Sequence, residues 1–356
     1  VVAALASACV LAVAAAVGSE HGTMSVRALA SGLATATLLF AGASQIAGQG
    51  NRRLLLTVAI VVAGATLVLS LGQSAGLQLP FEAERIGGRF PTGALLGNEG
   101  YVALLAALVA AAAVAVLVDA SLPVRQIAGL IALIILSLLV IILNRQVTGG
   151  IALLVAVSLV LAIRFRQRWL TVLVAVSLLL GSASAMIPAV RGATWAAAPG
   201  VDATTYQRLT TFRLGGWVAA EEMIRHAPWL GHGPGSYAAE STARRLDAEI
   251  RYGMRFLQPT GATFVHAHQD WLQLAAECGL PAAVLMLVAY LALLAGLYRT
   301  YAHRRTVEPL LLIAVLVVVG VASLTWFPMQ IPITAVVALL AAGRAWRLCS
   351  GDGDSI

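Results

Sequence analysis

The chain has 356 residues, of which 60% are hydrophobic and 11% charged, and its mean hydropathy is +0.89. A soluble domain carries about a quarter of its residues as charges, so this composition excludes a soluble globular protein and marks an integral membrane protein. The positive side of the formal charge of +7 is entirely arginine, with no lysine in the sequence. Arginine is the better bidentate phosphate ligand, so where the arginines sit matters more than how many there are.

Several runs reach the roughly 20 apolar residues needed to cross about 30 Å of hydrocarbon, and a helix satisfies its own backbone hydrogen bonds there. The alternating short segments of a β-barrel are not seen. Taken in order, the apolar runs predict ten spans, at about 2–18, 25–47, 54–74, 99–118, 125–143, 147–163, 169–188, 271–297, 309–326 and 331–347. The expected fold is an all-α polytopic membrane protein. Its parts are N-terminal transmembrane helices over 1–188, a large loop outside the cytoplasm with two or more helices over 189–270, C-terminal transmembrane helices over 271–348 and a cytoplasmic tail over 349–356. The chain begins Val-Val without a methionine, so the native N-terminus is expected further upstream.

Charge sets the orientation. Arg52 and Arg53, Arg125, the cluster Arg164, Arg166 and Arg168, then Arg299, Arg304 and Arg305, and finally Arg344 and Arg347 fall on one side under strict alternation, and short arginine-rich connections mark the cytoplasm. The connections 19–24, 75–98, 144–146, 189–270 and the Trp326–Gln330 turn then lie outside. Cys9, Cys278 and Cys349 sit in or beside apolar runs without metal-like spacing and read as packing residues. The arginines of 244–255 alternate with carboxylates and read as a solvated face. Arg89, Arg145 and Arg213 lie at the apolar boundary, where charge is costly and tends to mark function.

A segment as long as 189–270 should carry structure of its own. Thr210 or Thr211 can cap a helix that runs to about His226, with Arg213 in its first turn. Next comes Gly231-His232-Gly233-Pro234-Gly235-Ser236-Tyr237, a tight turn ending at a Ser236 cap, and then a helix over about 237–254. The turn lacks the Lys-Ser/Thr ending of a P-loop, so it reads as a helix entry with His232 as a polar contact rather than a nucleotide site.

The string Phe264-Val-His266-Ala-His268-Gln269-Asp270-Trp271 puts polar chemistry at the mouth of an apolar run. Two histidines and Asp270 lack a third ligand at a regular offset, so no metal is expected. Either histidine could be a general base near neutral pH, or simply face water at a helix start. Asp270 could orient a histidine or cap the helix that Trp271 begins, and Trp271 fits an interfacial anchor. Neither paired glycosidase carboxylates nor a Gly-x-Ser-x-Gly elbow is found.

Arg213-Leu-Gly-Gly-Trp217, then Pro228-Trp-Leu-Gly231-His-Gly-Pro-Gly-Ser236-Tyr237, then His266-Ala-His268-Gln-Asp-Trp-Leu272 with Leu274-Ala-Ala-Glu277-Cys-Gly279-Leu280, resembles the bacterial O-antigen ligase family (WaaL) and its polymerase relatives. Gly88-Arg89-Phe90 with Leu96-Gly97-Asn98 resembles the family's first periplasmic motif. The resemblance implies a GT-C-like glycosyltransferase with about twelve helices, so that ten here fit a piece lacking the first two. It implies inverting transfer from undecaprenyl diphosphate on the periplasmic face of the bacterial inner membrane, without metal, ATP or other cofactor.

Position by position, Arg213 takes the diphosphate, and Arg145 stands like the family's other arginine, although its context Asn144-Arg145-Gln146 departs from the usual Ser-Arg-Gly. His268 becomes the base, with Arg89, His266, Gln269, His232 and Asp270 as substrate-binding candidates. Gln269 stands where asparagine is common. A diphosphate leaving group needs fixed positive charge, and an acceptor hydroxyl needs a base.

The leading expectation is an O-antigen ligase that joins carrier-linked O-polysaccharide to a sugar hydroxyl of lipid A-core. Its partners would be those two substrates and membrane lipids, with no nucleic acid. An O-antigen polymerase (Wzy-like) or a protein O-oligosaccharyltransferase shares the donor. A lipid-linked glycan transporter or flippase would use the outer arginines for an anionic head group. Against it stand the lack of inverted repeats and of a mid-span acid, Glu277 being the nearest candidate.

Overall fold

The computed structural model describes residues 1–45, 49–79, 92–166, 213–253, 255–256 and 264–350. The predicted span 169–188, the stretch 189–212 with Thr210 and Thr211, and Arg89 lie outside the described residues. Among the described residues every regular element is helical: α1 Val2–Val17, α2 Gly22–Gln45, α3 Gln49–Ser74, α4 Glu99–Asp119, α5 Val124–Leu143, α6 Val147–Arg164, α7 Leu214–His226, α8 Tyr237–Tyr252, α9 Asp270–Arg304, α10 Val307–Ala322 and α11 Pro332–Cys349. Among the described residues six helices are long and apolar enough to cross a membrane: α2, α4, α5, α6, α9 and α11. Three apolar helical stretches are shorter, Val2–Val17, Val58–Ser74 and Val307–Ala322. Each of the nine coincides with a predicted span, and together they make a multi-pass, all-helical membrane protein.

The chain forms two compact units. One contains Thr37–Val174, Leu293–Ala322 and Pro328–Ile356. Within it α4 and α10 are buried on almost every side, as expected of helices that are apolar all round. Small residues allow the close approach: a side chain at Gly149 would press on the Ala103 carbonyl, at 3.2 Å. Asn98 caps α4 by accepting from Gly100 N at 2.8 Å, and Asn144 at the end of α5 donates to the Glu99 carbonyl at 3.2 Å. At the opposite end of α4, the largely covered side chain of Asp119 accepts from Arg164 at 2.8 Å and from the Tyr301 hydroxyl at 2.9 Å. That network ties together the C-terminal ends of α4, α6 and α9, which alternation assigns to one side.

The other unit contains Val1–Ala36, Ala175–Ala292 and Ser323–Phe327. Helix α7 packs on two sides. Ala220 and Met223 meet Tyr237, Phe264, Ala267 and Ala276, while Leu214, Trp217 and Val218 meet Ala248 and Phe256. Burying a side chain such as Met223 or Phe264 contributes about 1.5–3 kcal/mol, so these contacts outweigh the weak propensity of the Gly215-Gly216 pair for helix. The pair serves packing: a side chain at Gly216 would meet the Ala267 carbonyl at 3.2 Å and the Tyr237 hydroxyl at 3.4 Å.

Two sequence expectations change here. Helix α7 starts at Leu214 with Arg213 as its N-cap, rather than carrying Arg213 in its first turn. Ser236 stands at the N-cap of α8 but makes no capping bond with its side chain. The Glu277 carboxylate replaces it, accepting from Gly235 N at 2.9 Å and from Tyr237 N at 3.3 Å. Helix α9 is also two helices across a kink, because Gly279 adopts φ +85 before Pro281. A side chain at Gly279 would collide with the Trp229 carbonyl, so this approach requires glycine.

Candidate functional site

The predicted residues Arg213, His232, His266, His268, Gln269 and Asp270 all belong to the unit containing α7 and α8. Chain 264–269 runs along α7 before α9 begins. Its path is fixed by Ser241 Oγ donating to the Phe264 carbonyl at 2.8 Å and by Trp217 Nε1 donating to the His268 carbonyl at 3.3 Å. His268 sits at φ +56, a left-handed backbone that costs a residue other than glycine about 1 kcal/mol or more. Such strain persists only where the surroundings over-determine it.

Those surroundings include a segment that the sequence did not single out, Ser323–Phe327. Asp270 N donates to the Ser323 carbonyl at 3.1 Å, and Ser323 Oγ donates to Asp270 Oδ2 at 3.0 Å. Gln269, buried, gives its side-chain amide to the Leu324 carbonyl at 3.0 Å. Phe327 lies between the histidines: His266 stacks on it with ring centroids 5.0 Å apart, and His268 meets it edge-on at 4.7 Å. Arg213 joins the same segment, with Nη1 donating to the Thr325 carbonyl at 2.9 Å and the guanidinium 5.8 Å from the Trp326 ring centre. Mostly backbone carbonyls do this work, which leaves no side-chain pattern to read. The one available signal was Trp326-Phe327, two aromatics in a short connection.

The electrostatics follow from the geometry. Burial pushes the Arg213 pKa down, though the group stays charged, and among the described residues it has no carboxylate partner. Burial, then the Arg213 charge and then His266 push His268 down to about 4. Burial lowers His266 as well. Both imidazoles are therefore neutral near pH 7, and Nδ1 of each has no hydrogen-bond partner among the described residues. A fixed cation thus lies close enough to a half-buried imidazole to add to the effect of burial in keeping it neutral.

His232 is placed differently. Its Nε2 donates to the Met223 carbonyl at 3.0 Å, and its Nδ1 lies 4.0 Å from Glu240. Arg145 belongs instead to the unit containing α4, α5, α6 and α10, exposed at the α5–α6 turn with φ +51. A cavity of about 780 Å³ in that unit is lined by Ile163, Arg166, Tyr298, Tyr301 and Arg305 among others, none of them a predicted site residue.

A polytopic all-helical membrane protein with an arginine and a histidine gathered on irregular chain between helices is the class that the fold and site define. Residues 131–287 match the O-antigen ligase family model, so the resemblance drawn from the motifs holds over that stretch, which includes Arg145, Arg213 and His268 and excludes Arg89. That stretch, less than half of the chain, is what is similar to the O-antigen ligase family. No curated protein matches the chain.

Proposed function

We propose that the protein is an O-antigen ligase of GT-C-like architecture in the bacterial inner membrane, with its active site facing the periplasm. It transfers O-polysaccharide from undecaprenyl diphosphate to a sugar hydroxyl of lipid A-core by inverting, metal-independent glycosyl transfer. The single observation that carries this reading is the pairing of Arg213 with His268: a cation without a carboxylate partner among the described residues, beside an imidazole that burial and then the Arg213 charge keep neutral.

In this mechanism Arg213 holds the diphosphate and stabilises the charge that develops as the glycosidic oxygen leaves. His268 takes the proton of the attacking hydroxyl. A histidine with a pKa of about 4 is a weak base in the free enzyme, but a bound diphosphate offsets the Arg213 charge and raises the proton affinity of His268. Base strength is then greater when the donor is in place. His266 supports Phe327 and His268.

The test is reconstitution. Purified protein given carrier-linked glycan and lipid A-core should yield glycosylated lipid A-core without added metal or nucleotide. Polymer built from the carrier-linked glycan alone would identify a polymerase instead, and movement of a labelled lipid-linked glycan across vesicles without covalent transfer would identify a flippase.

A further inference from the structure

We infer that Glu277 and Gln273 are positioning residues for His268, acting as a two-link relay that fixes the backbone on which the base stands; this rests on the proposed function. The strained φ of +56 at His268 must be held from both sides. On the C-terminal side, Gln269 and Asp270 are tied to Leu324, Ser323 and Trp326. On the N-terminal side, the amide of fully buried Ala267 donates to Gln273 Oε1 at 3.0 Å.

Gln273 is itself oriented. A side-chain amide can present oxygen or nitrogen to either neighbour, and the wrong choice would set its NH2 against the Ala267 N–H. Glu277, one helical turn on, removes the ambiguity, because its carboxylate accepts from Gln273 Nε2 at 3.1 Å. Both carboxylate oxygens face N–H donors and act as acceptors, so Glu277 turns the Gln273 nitrogen towards itself and the oxygen towards Ala267. The same carboxylate takes the Gly235 and Tyr237 amides. Nearby, His232 N donates to the Ala276 carbonyl at 3.1 Å and Gly233 N to the Glu277 carbonyl at 2.8 Å. One acid therefore locks the glycine turn and the histidine strand to the start of α9. Glu277, the acid a transporter would need, is fully engaged in this relay.

Glu277→Gln keeps the shape but restores the ambiguity, since an amide faces three donors with one acceptor oxygen. In full-length protein it should lower kcat about 10- to 100-fold with KM within about twofold, since a misplaced base loses rate rather than affinity. It should also raise the pH midpoint at which diethyl pyrocarbonate modifies His268, because a loosened strand lets that ring reach water. Gln273→Met, which leaves Glu277 in place, should do the same to a smaller extent. Glu221→Ala, which breaks the pair with Arg225 and the bonds from the Tyr252 hydroxyl, should change neither reading. Wild-type kcat and an unmoved midpoint in a folded Glu277→Gln protein would overturn the inference. So would a failure of both Glu277→Gln and Gln273→Met to fold, which would make the pair a folding element. If His268→Ala transfers at the wild-type rate, the base assignment fails instead, while the modification midpoint still tests the relay.

Discussion

In the unit built on α4, α5, α6 and α10, helices bury small apolar residues on nearly every face, and polar bonds occur mainly at helix ends, as at Asn98, Asn144 and Asp119. In the unit built on α7 and α8, the chain around the two histidines is irregular, and hydrogen bonds from side chains to backbone hold it at Thr325, Leu324, Phe264 and Ala267. Apolar packing tolerates substitutions of similar volume, whereas a bond network that holds strained backbone does not. Substitutions in the first kind of unit should therefore act on stability, and those in the second on rate.

The largest effect is expected from His268→Ala. Removing a general base costs about 100- to 10,000-fold in kcat. Transfer by purified variant, normalised to inserted, monodisperse protein, is the measurement, and near-wild-type transfer would remove the mechanism. Arg213→Lys should follow, at about 100-fold, because an ammonium keeps the charge but cannot reproduce the planar fork that both holds the Thr325 carbonyl and faces a diphosphate. A loss confined to KM would mean that the arginine binds donor without stabilising charge in the transition state.

Why some of this was legible in the sequence is clear from where it stands. Apolar runs of span length give nine of the helices, because burial in hydrocarbon constrains composition at every turn, as along α4 and α10. The boundaries of α7 and α8 came from Gly, Pro and helix-forming runs, and erred by only a few residues. His268 and Arg213 were legible because their chemistry is rare at such a boundary. The Ser323–Phe327 clamp was not, since the groups that act there are carbonyls that any residue can supply. The cap of α8 was misread for a related reason. Ser236 occupies the right position, but the acceptor comes from Glu277, 40 or so residues away, and no local pattern announces it.

Phe327→Leu should reduce kcat by about 10-fold, since it keeps apolar volume but removes the ring on which His266 stacks and which His268 meets edge-on. Asp119→Asn provides the counterpart in the helical bundle. It weakens the charge-assisted bonds to Arg164 and Tyr301, and should lower stability by about 1–2 kcal/mol while leaving kcat of the folded fraction unchanged. A loss of rate without loss of stability at Asp119 would erase the contrast between the two units.

The smallest effect at neutral pH, and the most specific, is the acid response of His268. Its pKa is about 4 in the native protein against 6.5 for a free imidazole, with burial the larger cause and the Arg213 charge the next. As pH falls below 6.5 the unfolded chain takes up a proton that the native site refuses, so stability present above that pH is lost progressively down to about 4 and then levels off. Thermal transitions recorded from pH 7 to 4 should therefore fall less steeply for His268→Gln than for wild type. Arg213→Gln should raise the native pKa by removing the neighbouring cation, and so narrow the window over which stability is lost. Equal slopes in all three proteins would mean that His268 titrates like a free histidine. Arg213 would then not set its charge, and the pairing on which the proposed chemistry rests would be lost, even if each residue proved essential by itself.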